Sequence, residues 1–317
     1  MQRTEDYTYF SCYSRQLPTF KIPKTGNMKF AIFGNSHQTK KCDRIAKLFD
    51  TLDKKGDNYA IERKFYDFLM KMGIEQAKKA EIIENDDFEA DMVISYGGDG
   101  TLLKTACKVG SKGYPIIGVN AGRLGFLTTT SSENIEAIIE SIHCDNFNIE
   151  ERSIIEVTTE SGSLKNYPYA LNEIAIMKHD SSSMITIETT LNDCETIVYQ
   201  ADGLIVAAPS GSTGYSLSVG GPIIAPDAHV MVLTPIAPHS LNVRPFVVND
   251  NTEVKIKVHS RSHNFLIAID GRNESFEEGT TLTIRKASYK QRIVRIKDDN
   301  FIKNLREKMM WGVDARE

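Results

Sequence analysis

Apolar residues along this chain fall into two textures. In the first half, short apolar runs alternate with longer stretches in which apolar residues recur every three or four positions. Residues 28–33 read as a buried strand, ended by Gly34 and Asn35. Residues 40–52 place Ile45, Leu48, Phe49 and Leu52 at helical spacing, and residues 59–72 do the same with Ile61, Phe65, Phe68 and Leu69, predicting two helices. An acidic stretch, residues 84–89, reads as a solvated loop leading into a second apolar run at 92–96. A further strand is expected over 114–120 and a helix over 134–142. Strands alternating with helices predict parallel βαβ units, hence a doubly wound α/β sheet.

From about residue 150 the texture changes. Residues 153–159, 175–178, 184–190, 253–259, 264–269 and 281–285 are β-rich and partly alternating, separated by Gly, Asn, Asp and Ser turns. A mostly antiparallel β domain is expected to follow the α/β one. The expected organisation is an N-terminal extension over 1–27, an α/β domain over 28–148, a β-rich domain over 149–296 and a C-terminal helix within 297–317. That helix carries Phe301, Leu305 and Met309 on roughly one face, which predicts that it docks back on the body.

Composition adds only bounds. With 41% hydrophobic and 25% charged residues, the chain of 317 residues is ordinary for a globular protein with one large or two medium cores. A net charge of −4 implies no nucleic-acid partner held by bulk charge. No apolar run approaches the roughly eighteen residues needed to cross a bilayer, and the N-terminus lacks a signal-peptide core, so neither a membrane nor secretion is expected. The 5 cysteines are scattered, without a Cys-x-x-Cys pair, which fits a reducing cytoplasm better than a disulfide framework or a zinc site.

The candidate chemistry centres on Gly97-Gly98-Asp99-Gly100-Thr101, where the second apolar run breaks and a helix is expected to open near Thr101. A strand that ends in glycines and opens a helix offers unpaired N–H groups and the positive dipole end, which suits a phosphate. The turn is neither of the better-known phosphate motifs. Leu103 stands where Gly-x-Gly-x-x-Gly requires its third glycine, and no Gly-x-x-x-x-Gly-Lys-Ser/Thr occurs. Asp99 is the unusual member, because a carboxylate repels phosphate. It fits holding a metal ion, bonding a ribose, or taking a proton from a hydroxyl. Lys104, about one turn into the helix, can add positive charge near phosphate.

Three further stretches complete the pattern: residues 122–127 (Gly-Arg-Leu-Gly-Phe-Leu), Asn172-Glu173, and residues 201–222, which run from Ala-Asp-Gly-Leu to Val-Gly-Gly-Pro. With Gly97–Thr101 they resemble the NAD kinase family in order and spacing, from residue 28 onward. Phosphofructokinases and diacylglycerol or sphingosine kinases carry similar glycine turns, but the long second motif preceded by Asn-Glu is far more specific. The resemblance implies that ATP phosphorylates the adenosine ribose 2′-hydroxyl of NAD to give NADP, with Mg²⁺ or another divalent cation assisting. It implies Asp99 as the base. It also implies ligand contacts from Gly97, Gly98, Gly100, Thr101 and Lys104, and an apolar wall at Phe126. Asn172 and Glu173 together can grip vicinal ribose hydroxyls. Thr213, Gly214, Tyr215, Ser216, Leu217 and Ser218 form a hydroxyl-rich segment suited to adenine or phosphate. Gly214 stands where many relatives have Ala. Asp202 resembles the family acid at the nicotinamide end of the substrate. The resemblance further implies a cytoplasmic homodimer or homotetramer. The rival readings are a lipid kinase of the diacylglycerol kinase type and a non-catalytic dinucleotide-binding protein. No metal-ligating residue and no role for Arg123 are expected.

Overall fold

The structure is a computed structural model that describes residues 27–35, 42–122, 125–160, 162, 164–180, 183–297 and 299–311. The extension expected over 1–27 lies outside the described residues except for Asn27, and so does Arg123. The first half comprises β1 (Lys29–Gly34), α1 (Cys42–Lys55), β2 (Asn58–Glu62), α2 (Arg63–Lys71), β3 (Glu81–Ile83), β4 (Met92–Gly97), α3 (Asp99–Val109), β5 (Ile116–Asn120), β6 (Thr130–Ser131) and α4 (Ile135–His143).

Strands β3-β2-β1-β4-β5 lie side by side and parallel, with Ile32 of β1 opposite both Ile61 and Ile94. Every residue of β4 and β5 is buried, which is why both read as uninterrupted apolar runs. Two cores cover the faces. One joins Leu48, Phe49 and Leu52 of α1 to Ile138, Ile139 and Ile142 of α4 across Phe30, Ile32 and Ile94. The other seats Leu102, Ala106 and Val109 of α3 on Ala31, Val93 and Ile116.

One expected element is corrected. The helix expected over 59–72 is two elements, since residues 58–62 form β2 and α2 begins only at Arg63. Tyr59, Ala60 and Ile61 are buried in succession. Consecutive residues of a strand point to opposite faces, so this burial needs cover on both sides, as a strand inside a sheet has. The spacing from Ile61 to Phe65 imitated a helical turn.

The second half comprises β7 (Phe147–Thr159), β8 (Tyr169–Ala170), β9 (Glu173–Lys178), β10 (Ile185–Leu191), β11 (Thr196–Ala201), β12 (Gly203–Ala207), the one-turn α5 (Tyr215–Ser218), β13 (Val230–Ile236), β14 (Phe246–Asn249), β15 (Val254–His259), β16 (Asn264–Ile269), β17 (Arg272–Glu277), β18 (Thr281–Ile296) and α6 (Phe301–Met309). Its strand pairs are antiparallel, and a six-stranded sheet runs β14-β13-β12-β9-β16-β17. The long β18 ties the halves together. It runs antiparallel to β7 and β15, yet meets β5 in parallel where Ile293 lies opposite Ile116. The parallel sheet thereby continues into the β-rich half as one 12-stranded sheet. The two sheets of this half enclose a core that includes Ile174, Ile176, Leu204, Val206, Phe265 and Ile284.

Candidate active site

The strand order reverses direction between β1 and β4, and ligands in open α/β sheets bind beyond the carboxyl ends of strands at such a point. A cavity of about 870 Å³ opens there. Its lining includes Gly34 and Asn35 at the end of β1, Gly98, Gly100 and Thr101 after β4, and the cations Lys64, Lys104, Lys108 and Arg272. A Cβ added at Gly98 or Gly100 would meet no atom within 4 Å, so the backbone there is bare to the cavity. Gly97 differs, being buried beneath Thr101, whose Oγ1 would lie 2.2 Å from an added Cβ. The helix starts at Asp99 rather than near Thr101, which puts Asp99 in the first turn with the free N–H groups. Lys104 is exposed at the cavity, while Lys108 is engaged by Asp86 at 2.7 Å.

Asp99 is densely bonded. Its carboxylate accepts the backbone N–H groups of Phe126 at 2.7 Å, Leu127 at 3.2 Å and Thr128 at 2.8 Å, and the Thr128 hydroxyl at 2.7 Å. The carbonyl side of the same segment is held by Arg295, which donates to Leu127 O at 3.0 Å, Phe126 O at 3.4 Å and Thr129 Oγ1 at 2.7 Å. Residues 126–129 are thus gripped from both sides. Gly125 has to be glycine here, because an added Cβ would fall 1.8 Å from Asp99 Oδ1.

Arg295 in turn pairs with Glu150 at 3.0 Å. Glu150 also takes a bond from the buried Arg152, whose Nη1 reaches Ser210 Oγ at 3.3 Å. Burial pushes the Glu150 carboxyl up, but the two guanidinium charges outweigh it and leave the group below its usual range. A continuous polar chain therefore links the second motif, at Ser210, to the segment bonded to Asp99.

Asn172 and Glu173 lie at the start of β9, held from behind by a half-buried acid. Asp270 accepts the N–H groups of Leu171 at 2.8 Å, Asn172 at 2.9 Å and Glu173 at 3.1 Å. Burial raises the Asp270 pKa against the lowering effect of those bonds. Asn172 Oδ1 and Glu173 Oε2 are buried without a hydrogen-bond partner. Glu173 is pushed up to about 7, first by burial and then by the charge of Asp270. Orphaned buried acceptors are uncommon, and these two suit a ligand bearing hydroxyl or amine donors.

The hydroxyl-rich segment packs against this pair. A Cβ at Gly214 would come 2.8 Å from Glu173 Oε2, and one at Gly211 would come 2.2 Å from the Asn172 carbonyl oxygen. Ser216 is buried and bonds Thr234 at 2.8 Å, so its hydroxyl faces the protein. Thr213 bonds back to Ser210 O at 3.3 Å. Tyr215 and Ser218 are exposed, and Leu217 is half-buried. Phe126 is half-buried, with the Lys308 amine 4.9 Å from its ring centroid.

Asp202 stands apart. It pairs with Lys178 at 2.7 Å in a separate cavity of about 710 Å³, whose lining shares no residue with the first. The residues that sequence reasoning missed are Arg272, Asp270, Thr128, Arg152, Glu150, Arg295 and Lys308. All but Asp270 and Thr128 are ordinary surface types with no local motif. The turn Asp270-Gly271, with φ of 45° and 77°, was the one available signal.

The models "ATP-NAD kinase N-terminal domain" and "ATP-NAD kinase C-terminal domain" match residues 26–147 and 171–296. A curated NAD kinase of Bacteroides fragilis is 52% identical over 91% of this chain and 100% of its own length. One from Flavobacterium psychrophilum is 42% identical over 91% and 100%. Among solved structures, a yeast NADH kinase complexed with NADH aligns with a TM-score of 0.80 at 19% identity, covering 92% of this chain and 89% of that one, a likeness of fold. An NAD kinase from Archaeoglobus fulgidus in complex with ATP aligns with a TM-score of 0.68 at 26% identity, covering 89% and 99%.

Proposed function

The chain belongs to the ATP-NAD kinase family and phosphorylates NAD with ATP to give NADP, and we propose that Asp99 faces the 2′-hydroxyl of the adenosine ribose and takes its proton. The observation that carries this assignment is the seat of Asp99 in the first turn of α3, between two glycines bare to the cavity. Triphosphate oxygens at that turn meet free N–H groups, the helix dipole and the cations Lys104 and Arg272. A ribose hydroxyl is a weak nucleophile near neutral pH, so a carboxylate that accepts its proton during attack lowers the barrier. Four donors already occupy Asp99, and a carboxylate has about four acceptor positions. The substrate hydroxyl therefore displaces one of them, and the Leu127 amide at 3.2 Å holds the longest bond.

Asn172 and Glu173 hold the ribose or adenine of NAD, a reading supported by their unpartnered buried oxygens. With a pKa of about 7, Glu173 can donate as well as accept near neutrality. Among the described residues no group of three His, Cys, Asp or Glu converges as a cation cage. Mg²⁺, when bound with the triphosphate, would supply charge neutralisation.

We further propose a cytoplasmic homodimer or homotetramer in which Asp202 serves the nicotinamide end of a dinucleotide bound mainly by a neighbouring subunit. The separation of the two cavities supports this, and the free Cys107, Cys144 and Cys194 suit a reducing compartment. No helix among the described residues is long and apolar enough to cross a membrane.

The test incubates purified protein with ATP, Mg²⁺ and NAD and measures NADP. Activity that survives Asp99→Asn undiminished removes Asp99 as the base. For the shared site, Asp99→Asn and Asp202→Ala proteins are each expected to be weak alone and to recover activity when mixed under subunit exchange. No recovery at any ratio confines the site to one chain.

A further inference from the structure

The amine of Lys308 is in an unusual position. Helix α6 turns one face outward, with Ile302, Lys303, Arg306 and Glu307 exposed. Asn300 caps it through a bond from the Lys303 N–H at 2.8 Å, Asn304 bonds Asp299 at 2.8 Å, and Leu305 is buried. Lys308 turns inward instead, and its Nζ is buried with no hydrogen-bond partner. An ammonium carries three donors, and the ring of Phe126, 4.9 Å away, satisfies none of them as an acceptor would. The backbone N–H of that same Phe126 donates to Asp99 Oδ2 at 2.7 Å. The charges around the amine are Asp99, Asp299 and Glu307 on one side of the balance and Arg295 on the other. Burial lowers the Lys308 pKa to about 8, and Asp99 is the largest influence holding it up.

A buried cation that lacks an acceptor, lying against the Phe126 ring whose N–H bonds Asp99 and within reach of the Asp99 charge, fits an anion that arrives during the reaction. We propose that Lys308 is a phosphate-recognising residue of this active site, pairing with the phosphoryl group at the ribose 2′ position as it is transferred and in bound NADP. In the transfer, the ribose 2′-oxygen forms a bond to the γ-phosphorus while the bond from that phosphorus to the β,γ-bridging oxygen breaks. ADP leaves with that electron pair, and the 2′-hydroxyl proton passes to the Asp99 carboxylate. Negative phosphoryl oxygens then stand where a neutral hydroxyl stood, next to a carboxyl group. The ammonium of Lys308 offsets that charge and finds its missing acceptors. NAD, which has no 2′-phosphate, offers Lys308 no such partner. The inference rests on the reading of Asp99 as the group facing the 2′-hydroxyl.

The test compares NAD and NADP binding by calorimetry, together with steady-state kinetics, in the wild-type protein and in Lys308→Met, Lys308→Gln and Lys308→Arg. Loss of one charge-assisted bond predicts that Lys308→Met weakens NADP binding about tenfold or more while NAD binding changes less than about twofold. The same variant is expected to lose kcat with little change in KM for NAD. Lys308→Arg keeps the charge and is expected to retain most of the NADP affinity. Should Lys308→Met fail to melt cooperatively, Lys308→Gln, similar in polarity but uncharged, carries the same expectation. Equal weakening of NAD and NADP, or unchanged NADP binding in both uncharged variants, overturns the proposal and leaves Lys308 as a packing residue. A wild-type protein that forms no NADP overturns the kinase reading itself, and the NAD-to-NADP binding ratio still reports on Lys308.

Discussion

Asp99 opens helix α3 and Glu173 opens strand β9, and both are carboxylates, yet their surroundings are opposite. Asp99 carries four donors from residues 126–128. Glu173 has a buried oxygen with no partner and a neighbouring acid behind it. The first carboxylate is built into the protein, and its bonds order the segment around it. The second takes a bond from the Tyr215 N–H but keeps one oxygen buried without a partner, an arrangement that burial makes costly. A group bonded by the protein contributes to the fold and to chemistry at once, whereas an unpartnered group contributes to binding at the expense of the fold.

The largest expected effect comes from Asp99→Asn. It removes the proposed base, so kcat is expected to fall by about 100-fold or more, with NAD binding far less affected. An amide also has one acceptor oxygen in place of two and brings its own N–H donors against those of Phe126 and Thr128. Thermal unfolding is therefore expected to show destabilisation of about 1–3 kcal/mol. Full activity, or an unchanged melting temperature, would erase the contrast from the Asp99 side.

Next in size is Asn172→Ala. Its Oδ1 has no partner in the protein, so stability is expected to hold while NAD binding weakens by about 1–3 kcal/mol. ATP affinity is expected to stay near the wild-type value. Titration calorimetry with both nucleotides checks this, and a larger loss for ATP than for NAD would assign the pair to the wrong substrate.

The smallest effect concerns pH. The folded pKa of Glu173, about 7, lies above the ordinary carboxyl value of 4.5. The folded protein therefore holds a proton there that the unfolded chain releases, and stability linked to this proton is complete below pH 4.5 and lost as pH rises through about 7. Glu173→Gln removes that loss. Its melting temperature is expected to exceed that of the wild type at pH 8 and to converge with it near pH 5. A gap that does not depend on pH would show that the carboxyl does not titrate in this range.

Much of the first half was legible because its signals are local. The apolar run at 92–96, the glycine break and the helix beyond lie within a few residues of one another, and backbone sterics alone dictate strand, turn and helix there. The residues of the second motif announced themselves by composition. Asn58–Glu62 misled because the step from Ile61 to Phe65 matches one helical turn, and only the pairing of β2 with β1 shows it to be a strand. The fourteen residues of β18 that precede Arg295 give no hint that it will meet the Phe126–Thr129 segment, about 170 residues away in sequence.

What the sequence alone determined was the order of strand, glycine turn and helix, the α/β-then-β plan, and the family. These follow from hydrophobic periodicity and from residues adjacent in the chain. Only the tertiary structure decided which side chains stand by Asp99 and which polar atoms remain unpartnered. The grip of Arg295, the chain through Glu150 and Arg152 to Ser210, the support of Asp270 behind Asn172, and the inward turn of Lys308 all join distant segments. The physical reason is that satisfaction of a buried polar group is a property of its whole neighbourhood, and no short window of sequence contains that neighbourhood.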